Sequence, residues 1–201
     1  LGVWLSVLRG TLMTYVLPKD RMPEAEVSLR LAFHLLSLPG AENKVEVAID
    51  GAQIRVHGDE VFPISPFLVD MGWRQVKQIG RNDWQGWYER SGQRLWIHSR
   101  SGVGDVVARV GAKRVRAECK GGPLVKQPGS KEYPRLRGAL GQVITVEQVH
   151  ADDVLAVAVP RTPKFRQLAT KWREAPLVRR ARIQIVLVDR YGTVEGLELI
   201  G

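Results

Sequence analysis

The stretch Gly104-Asp105-Val106-Val107-Ala108-Arg109-Val110, followed by Gly111-Ala112-Lys113-Arg114 and then Val115-Arg116-Ala117-Glu118-Cys119-Lys120, decides how this chain folds. Two valine-rich runs separated by a glycine-led turn read as antiparallel strands. In a hairpin of this length the start of the first strand lies beside the end of the second, which brings Asp105 and Glu118 to one end of the sheet. Side chains alternate along a strand, so Glu118 and Lys120 share a face while Cys119 points away. Two carboxylates and one ammonium are therefore predicted at a single point.

Downstream, SKEYPRLRGALGQVITVEQV (130–149) predicts a helix with Ser130 as a candidate N-cap and Pro134 near the first turn. DVLAVAVP (153–160) is a nearly unbroken apolar run, of the kind found in strands buried on both faces. Lys164 to Glu174 predicts a basic helix, and Ile183 to Asp189 a second buried strand. Upstream, WQGWYER (84–90) and RLWIHS (94–99) extend the β pattern into an expected meander with the two strands above. GGPLVKQPG (121–129) reads as a basic Gly/Pro-rich loop.

Toward the start of the chain, Glu24 to Leu38 carries apolar residues at helical spacing, with Pro23, Glu24 and Glu26 suited to its first turn and Pro39-Gly40 ending it. KVEVAID (44–50) and AQIRVHG (52–58) predict a hairpin around Asp50-Gly51. Residues 63–78 fit a short helix with a following strand. The order of elements implies an α/β fold: a mixed central sheet with helices on its faces.

The division expected is an N-terminal helix and accessory lobe over 1–93, with the helix packed on the core, and a main core over 94–201. Charge separates the same halves: 10 Lys+Arg stand against 11 Asp+Glu before residue 94, and 20 against 10 from residue 94 onward, within a net charge of +9. A basic half attracts polyanions, of which nucleic acid is the commonest inside cells. The apolar start LGVWLSVLRGTLMTYVLP is interrupted by Arg9 and is not expected to cross a membrane. Cys119 is the only cysteine, which excludes an intrachain disulfide and suits the cytoplasm.

Carboxylates a few ångströms apart resist joint ionisation unless a cation joins them. Hard oxygen ligands favour Mg²⁺ or Mn²⁺ over zinc. A cation there and an adjacent lysine suit hydrolysis of a phosphodiester. The pattern Gly-Asp, twelve residues, Glu-Cys-Lys resembles the PD-(D/E)xK motif of restriction-endonuclease-like nucleases, nearest to Holliday-junction resolvases and modified-DNA restriction enzymes of the Mrr type. Gly104 stands where the namesake proline would be.

The resemblance spans roughly residues 94–190 and implies an α-β-β-β-α-β core acting on DNA. By it, Asp105, Glu118 and the main-chain carbonyl of Cys119 hold the metal, with Glu26 as a further ligand. Lys120 positions water, and Gln142 on the following helix completes the catalytic set. Lys126, Arg135 and Arg137 are the expected DNA contacts, and the resemblance leaves room for a homodimer.

Other readings stay open at this point. The acids also fit a cross-strand ion pair with Lys120 or Arg116, and the fold fits a binding module without chemistry, or a ribonuclease. Trp73, Trp84, Trp87, Tyr88 and Trp96 serve either as core or as a surface that stacks on unpaired bases. The scattered histidines lack the spacing of a zinc site.

Overall fold

The computed structural model describes residues 15–50, 55–56, 59–60, 62–100, 102, 104–126, 128–129 and 131–199. The apolar start before Tyr15, the Gly51 turn and Ser130 lie outside the described residues. In chain order the elements are β1 (Arg21–Met22), α1 (Glu24–Ser37), β2 (Ala41–Ala48), β3 (Arg55–Val56), β4 (Asp59–Glu60), α2 (Ile64–Asp70), β5 (Arg74–Gln78), β6 (Gly86–Arg90) and β7 (Gln93–His98). Then come β8 (Val106–Val110), β9 (Lys113–Cys119), β10 (Gly122–Pro123), α3 (Glu132–Ile144), β11 (Asp153–Pro160), α4 (Pro163–Arg173), α5 (Pro176–Arg180), β12 (Gln184–Val188) and β13 (Val194–Glu195). Among the described residues no helix is long and apolar enough to cross a membrane.

The fold is mixed α/β. Nine strands form one sheet in the order β13-β12-β11-β9-β8-β2-β7-β6-β5, with parallel pairs at β11–β12, β9–β11 and β2–β7. Helix α1 packs against β2, β8, β9 and β11 on one face; α3 and α4 cover β9, β11 and β12 on the other. Strand β11 shows how sequence serves both layers. Ala156 and Ala158 face the α1 side, where small side chains admit the helix, while Val157 and Val159 join Leu136, Leu140 and Phe165 on the far side. The leucines of α1, including Leu29, Leu31 and Leu35, are fully buried, each contributing roughly 1.5–3 kcal/mol.

Two sequence expectations are corrected. KVEVAID does not pair with the segment that follows it: both edges of β2 are taken, by β7 and by β8, while β3 pairs with β4 in a separate two-stranded sheet. The expected meander is likewise broken, because β2 lies between β7 and β8. Long-range pairing has overridden the local turn signal. In consequence the sheet runs unbroken across residue 93, with β5 and β6 from before it bonded to β7. With β10 and the elements between β2 and β8 set aside, the order α1, β2, β8, β9, α3, β11 reads α-β-β-β-α-β, and residues 49–105 lie between β2 and β8.

Glu26 ties this frame together. Its fully buried carboxylate accepts from Arg30 Nε at 2.9 Å on the same helix and from Arg190 Nε and Nη2 at 2.9 and 2.8 Å, beyond the end of β12. Removing a buried carboxylate leaves two guanidinium groups uncompensated. Glu26→Ala is therefore expected to lower unfolding free energy by about 3 kcal/mol, measured by urea denaturation; an unchanged midpoint would contradict the structural role.

Candidate active site

The last recorded pairs of β8 and β9 are Val110↔Lys113 through Val106↔Ala117, and continuing that register sets Asp105 opposite Glu118. Asp105 is locked from two directions. Its carbonyl accepts the Ala48 N–H at 2.8 Å, and its Oδ2 accepts the Cys119 N–H at 2.7 Å. Gly104 turns the chain into this position with φ 106°, a conformation that L side chains rarely adopt.

Lys120 N–H donates to Ala158 O at 2.9 Å, which fixes the end of β9 against β11. Lys120 Nζ reaches Glu24 Oε1 at 3.1 Å, at the first turn of α1. That approach depends on Gly121, where a Cβ would stand 2.6 Å from both Glu24 N and Met22 O.

These groups line one cavity of about 380 Å³ at the sheet end: Glu24, Asp105, Glu118, Lys120 and Gln142, with Asp50, Ser99 and Arg100 at its margin. Of the sequence-predicted residues, Asp105, Glu118, Lys120 and Gln142 are brought together. Glu26 is not, being held in the Arg30–Arg190 cluster; Glu24, two positions earlier and on another side of the helix, lines the cavity in its place. Asp50, read as a turn residue, lines it at the end of β2. The Cys119 side chain is core, and burial followed by the Asp105 charge pushes its thiol well above the ordinary value.

The expected DNA contacts are dispersed. Arg135 Nη1 donates to Gly121 O at 2.7 Å, pinning the turn after Lys120 to α3. Arg137 is exposed and stands over the Tyr133 ring at 6.0 Å. Lys126 lines a different hollow, between the β10 loop and α4.

A second hollow of about 600 Å³ continues from the first past Glu118 and Gln142 and is edged by Arg114, Arg116 and His150. Asp153, its side chain fully buried, holds both arginines, at 2.5 Å to Arg114 Nε and 3.2 Å to Arg116 Nη1. The pairing with Arg114 keeps the Asp153 carboxyl well below the usual carboxylate range. Two fixed guanidinium groups thus edge a groove that leads to the acids.

Electrostatically the acids are in conflict. Burial first, and then the Glu118 and Glu24 charges, push Asp105 up to about 7 against the opposing effect of the Cys119 N–H and Lys120. Burial also raises Glu118, with the Glu24 charge adding to the rise and Lys120 opposing it. For Lys120, burial opposes the charge, but Glu24, Asp105 and Glu118 outweigh it and hold the ammonium above its ordinary pKa. Positive charge, as a proton or otherwise, would relieve this conflict. Among the described residues, no three His, Cys, Asp or Glu side chains already stand close enough to ligate one metal ion.

A carboxyl raised from 3.8 to about 7 contributes its full stability below the lower value, and that contribution is lost as pH rises between the two, where only the folded state keeps the proton. In a chelator, Asp105→Asn is expected to raise the melting temperature at about pH 8 and to leave it unchanged or lower at about pH 4. A lower melting temperature at the alkaline pH would show that the acids are not in conflict.

Compared with known proteins, the chain matches no family model, no curated protein and no solved structure.

Proposed function

We propose that the chain is a divalent-cation-dependent endonuclease that hydrolyses DNA phosphodiester bonds, with Asp105, Glu118 and Lys120 at its centre. The observation that carries this reading is their convergence in one open cavity, where burial raises both carboxyls and the Glu118 charge raises Asp105 further. The α-β-β-β-α-β frame supports it further, because the cavity lies where the PD-(D/E)xK resemblance expects it, at the junction of the second and third strands.

By donor chemistry the site suits a hard cation: Asp105 and Glu118 would supply the carboxylate oxygens that Mg²⁺ or Mn²⁺ prefers, with Glu24 in the same cavity but held by Lys120, and positive charge would relieve the conflict at Asp105. When bound, such an ion supplies Lewis-acid stabilisation of a phosphoryl oxygen.

The chain's own groups do the rest. Lys120 Nζ, oriented by Glu24, places positive charge where the phosphorane gains negative charge, and it directs a water toward phosphorus. Gln142, exposed on α3 at the lip, offers an amide to that water or to a phosphate oxygen. Arg114 and Arg116 hold neighbouring phosphates along the adjoining groove. Asp153 keeps their guanidinium groups in place before DNA arrives, which lowers the ordering cost of binding.

The test is cleavage of plasmid DNA with Mg²⁺ or Mn²⁺. Lys120→Ala and Glu118→Gln are each expected to lower the rate roughly a hundredfold or more, with Glu24→Gln reducing it and raising the cation concentration required. Binding to DNA without cleavage under any divalent cation would instead establish a binding module that keeps the fold, and cleavage of RNA alone would establish a ribonuclease.

A further inference from the structure

The aromatic residues of this region divide into two groups by depth. Trp73, Trp84 and Tyr88 are buried with α1 and α2, whereas Trp87 and Trp96 are half-buried. Alternation explains the difference. Val45, Val47, Leu95, Ile97 and Tyr88 point into the α1 core, so Lys44 and Glu46 of β2, Trp96 and His98 of β7, and Trp87 of β6 project from the opposite face. On that face α3 packs over β9 and β11, and α4 over β12, at the far side of the sheet.

Trp87 and Trp96 are direct cross-strand partners, their rings stacked with centroids 5.8 Å apart and planes within 17°. Cations surround them. Lys44 Nζ lies 5.4 Å and the Arg94 guanidinium 4.8 Å from the Trp87 ring, and Arg100 lies 5.5 Å from Trp96. Glu89 offsets Arg94 at 3.0 Å, and Glu46 is engaged by His98 Nε2 at 2.9 Å. Lys44 and Arg100 have no ion pair among the described residues.

The surface is joined to the catalytic cavity. Ser99 and Arg100 line that cavity and also a hollow of about 390 Å³ walled by Trp96, His98 and Arg81. The Arg100 main chain is fixed at the junction, since its backbone N–H donates to His98 Nδ1 at 3.0 Å. Phosphates suit the cations and flat bases suit the indoles; bases in a closed duplex are already stacked on one another, so only an unpaired strand presents free faces.

We propose that this face binds an unpaired DNA strand leaving the catalytic cavity, with bases stacking on Trp96 and Trp87 and phosphates held by Arg100, Lys44 and Arg94. The inference rests on the nuclease reading for the identity of the strand, yet its test needs no cleavage.

Binding is measured by fluorescence anisotropy in chelator, with the Lys120→Ala protein and labelled oligo(dT) or a duplex of equal length. Trp87→Ala and Trp96→Ala are each expected to weaken oligo(dT) binding about tenfold and to change duplex binding little. Trp87→Phe and Trp96→Phe keep a stacking face and should stay close to the parent protein. Should the alanine variants fail to fold, oligo(dT) carrying 5-iodouracil, irradiated on the unsubstituted protein, should crosslink to Trp87 or Trp96. Equal oligo(dT) affinity in the alanine variants, or crosslinks only elsewhere, overturns the proposal. A protein that cleaves DNA with these indoles unused refutes the platform alone; one that binds oligo(dT) through them and never cleaves refutes the nuclease reading alone.

Discussion

The junction of β8 and β9 holds carboxylates together against their own repulsion. Asp105 cannot retreat, because its carbonyl is bonded to β2 and its Oδ2 to the Cys119 amide. Glu118 cannot retreat either, since β9 is clamped between β8 and β11. The cost of that arrangement is borne by ordinary ladder hydrogen bonds and by two apolar layers, which are far larger than one electrostatic conflict. A site of this kind is possible only at the end of a well-buried sheet, where rigidity is greatest and solvent is still near.

Local pattern was enough to locate that junction. Asp105, Glu118 and Lys120 are placed by a short hairpin whose partners are close in sequence, and alternation alone assigns their faces. The buried strands β11 and β12 were equally legible as unbroken apolar runs. Strand β2 was not, because both of its neighbours are remote in sequence and Asp50-Gly51 offered a competing turn. Glu26 and Glu24 were separable only by their partners. Arg30, one turn after Glu26, was an available sign that the later acid belongs to an ion pair. No comparable sign pointed Glu24 toward Lys120, since they meet only after α1 seats on Gly121.

The basic half of the chain also resolves into distinct tasks. Arg135 fastens α3 to the turn after β9, Arg190 fastens α1, and Arg161 and Arg166 engage Glu195. Much of the excess charge is therefore architectural. The arginines that edge the groove are those held by Asp153, and on the other side of the cavity the cations are Lys44 of β2, Arg94 of β7 and Arg100, drawn from both sides of the residue 94 boundary. Charge totals point to a class of partner, whereas contact positions follow from topology.

The long excursion between β2 and β8 also governs the order of assembly. As the chain emerges from synthesis, α1 and β2 appear early, yet β2 gains no neighbour until β7 and then β8 have been made. Sheet closure consequently waits on sequence-distant encounters, which slow folding and leave a valine-bearing strand uncovered meanwhile. Lys44 and Glu42, exposed along that strand, act as gatekeepers that discourage it from pairing with other chains during the delay.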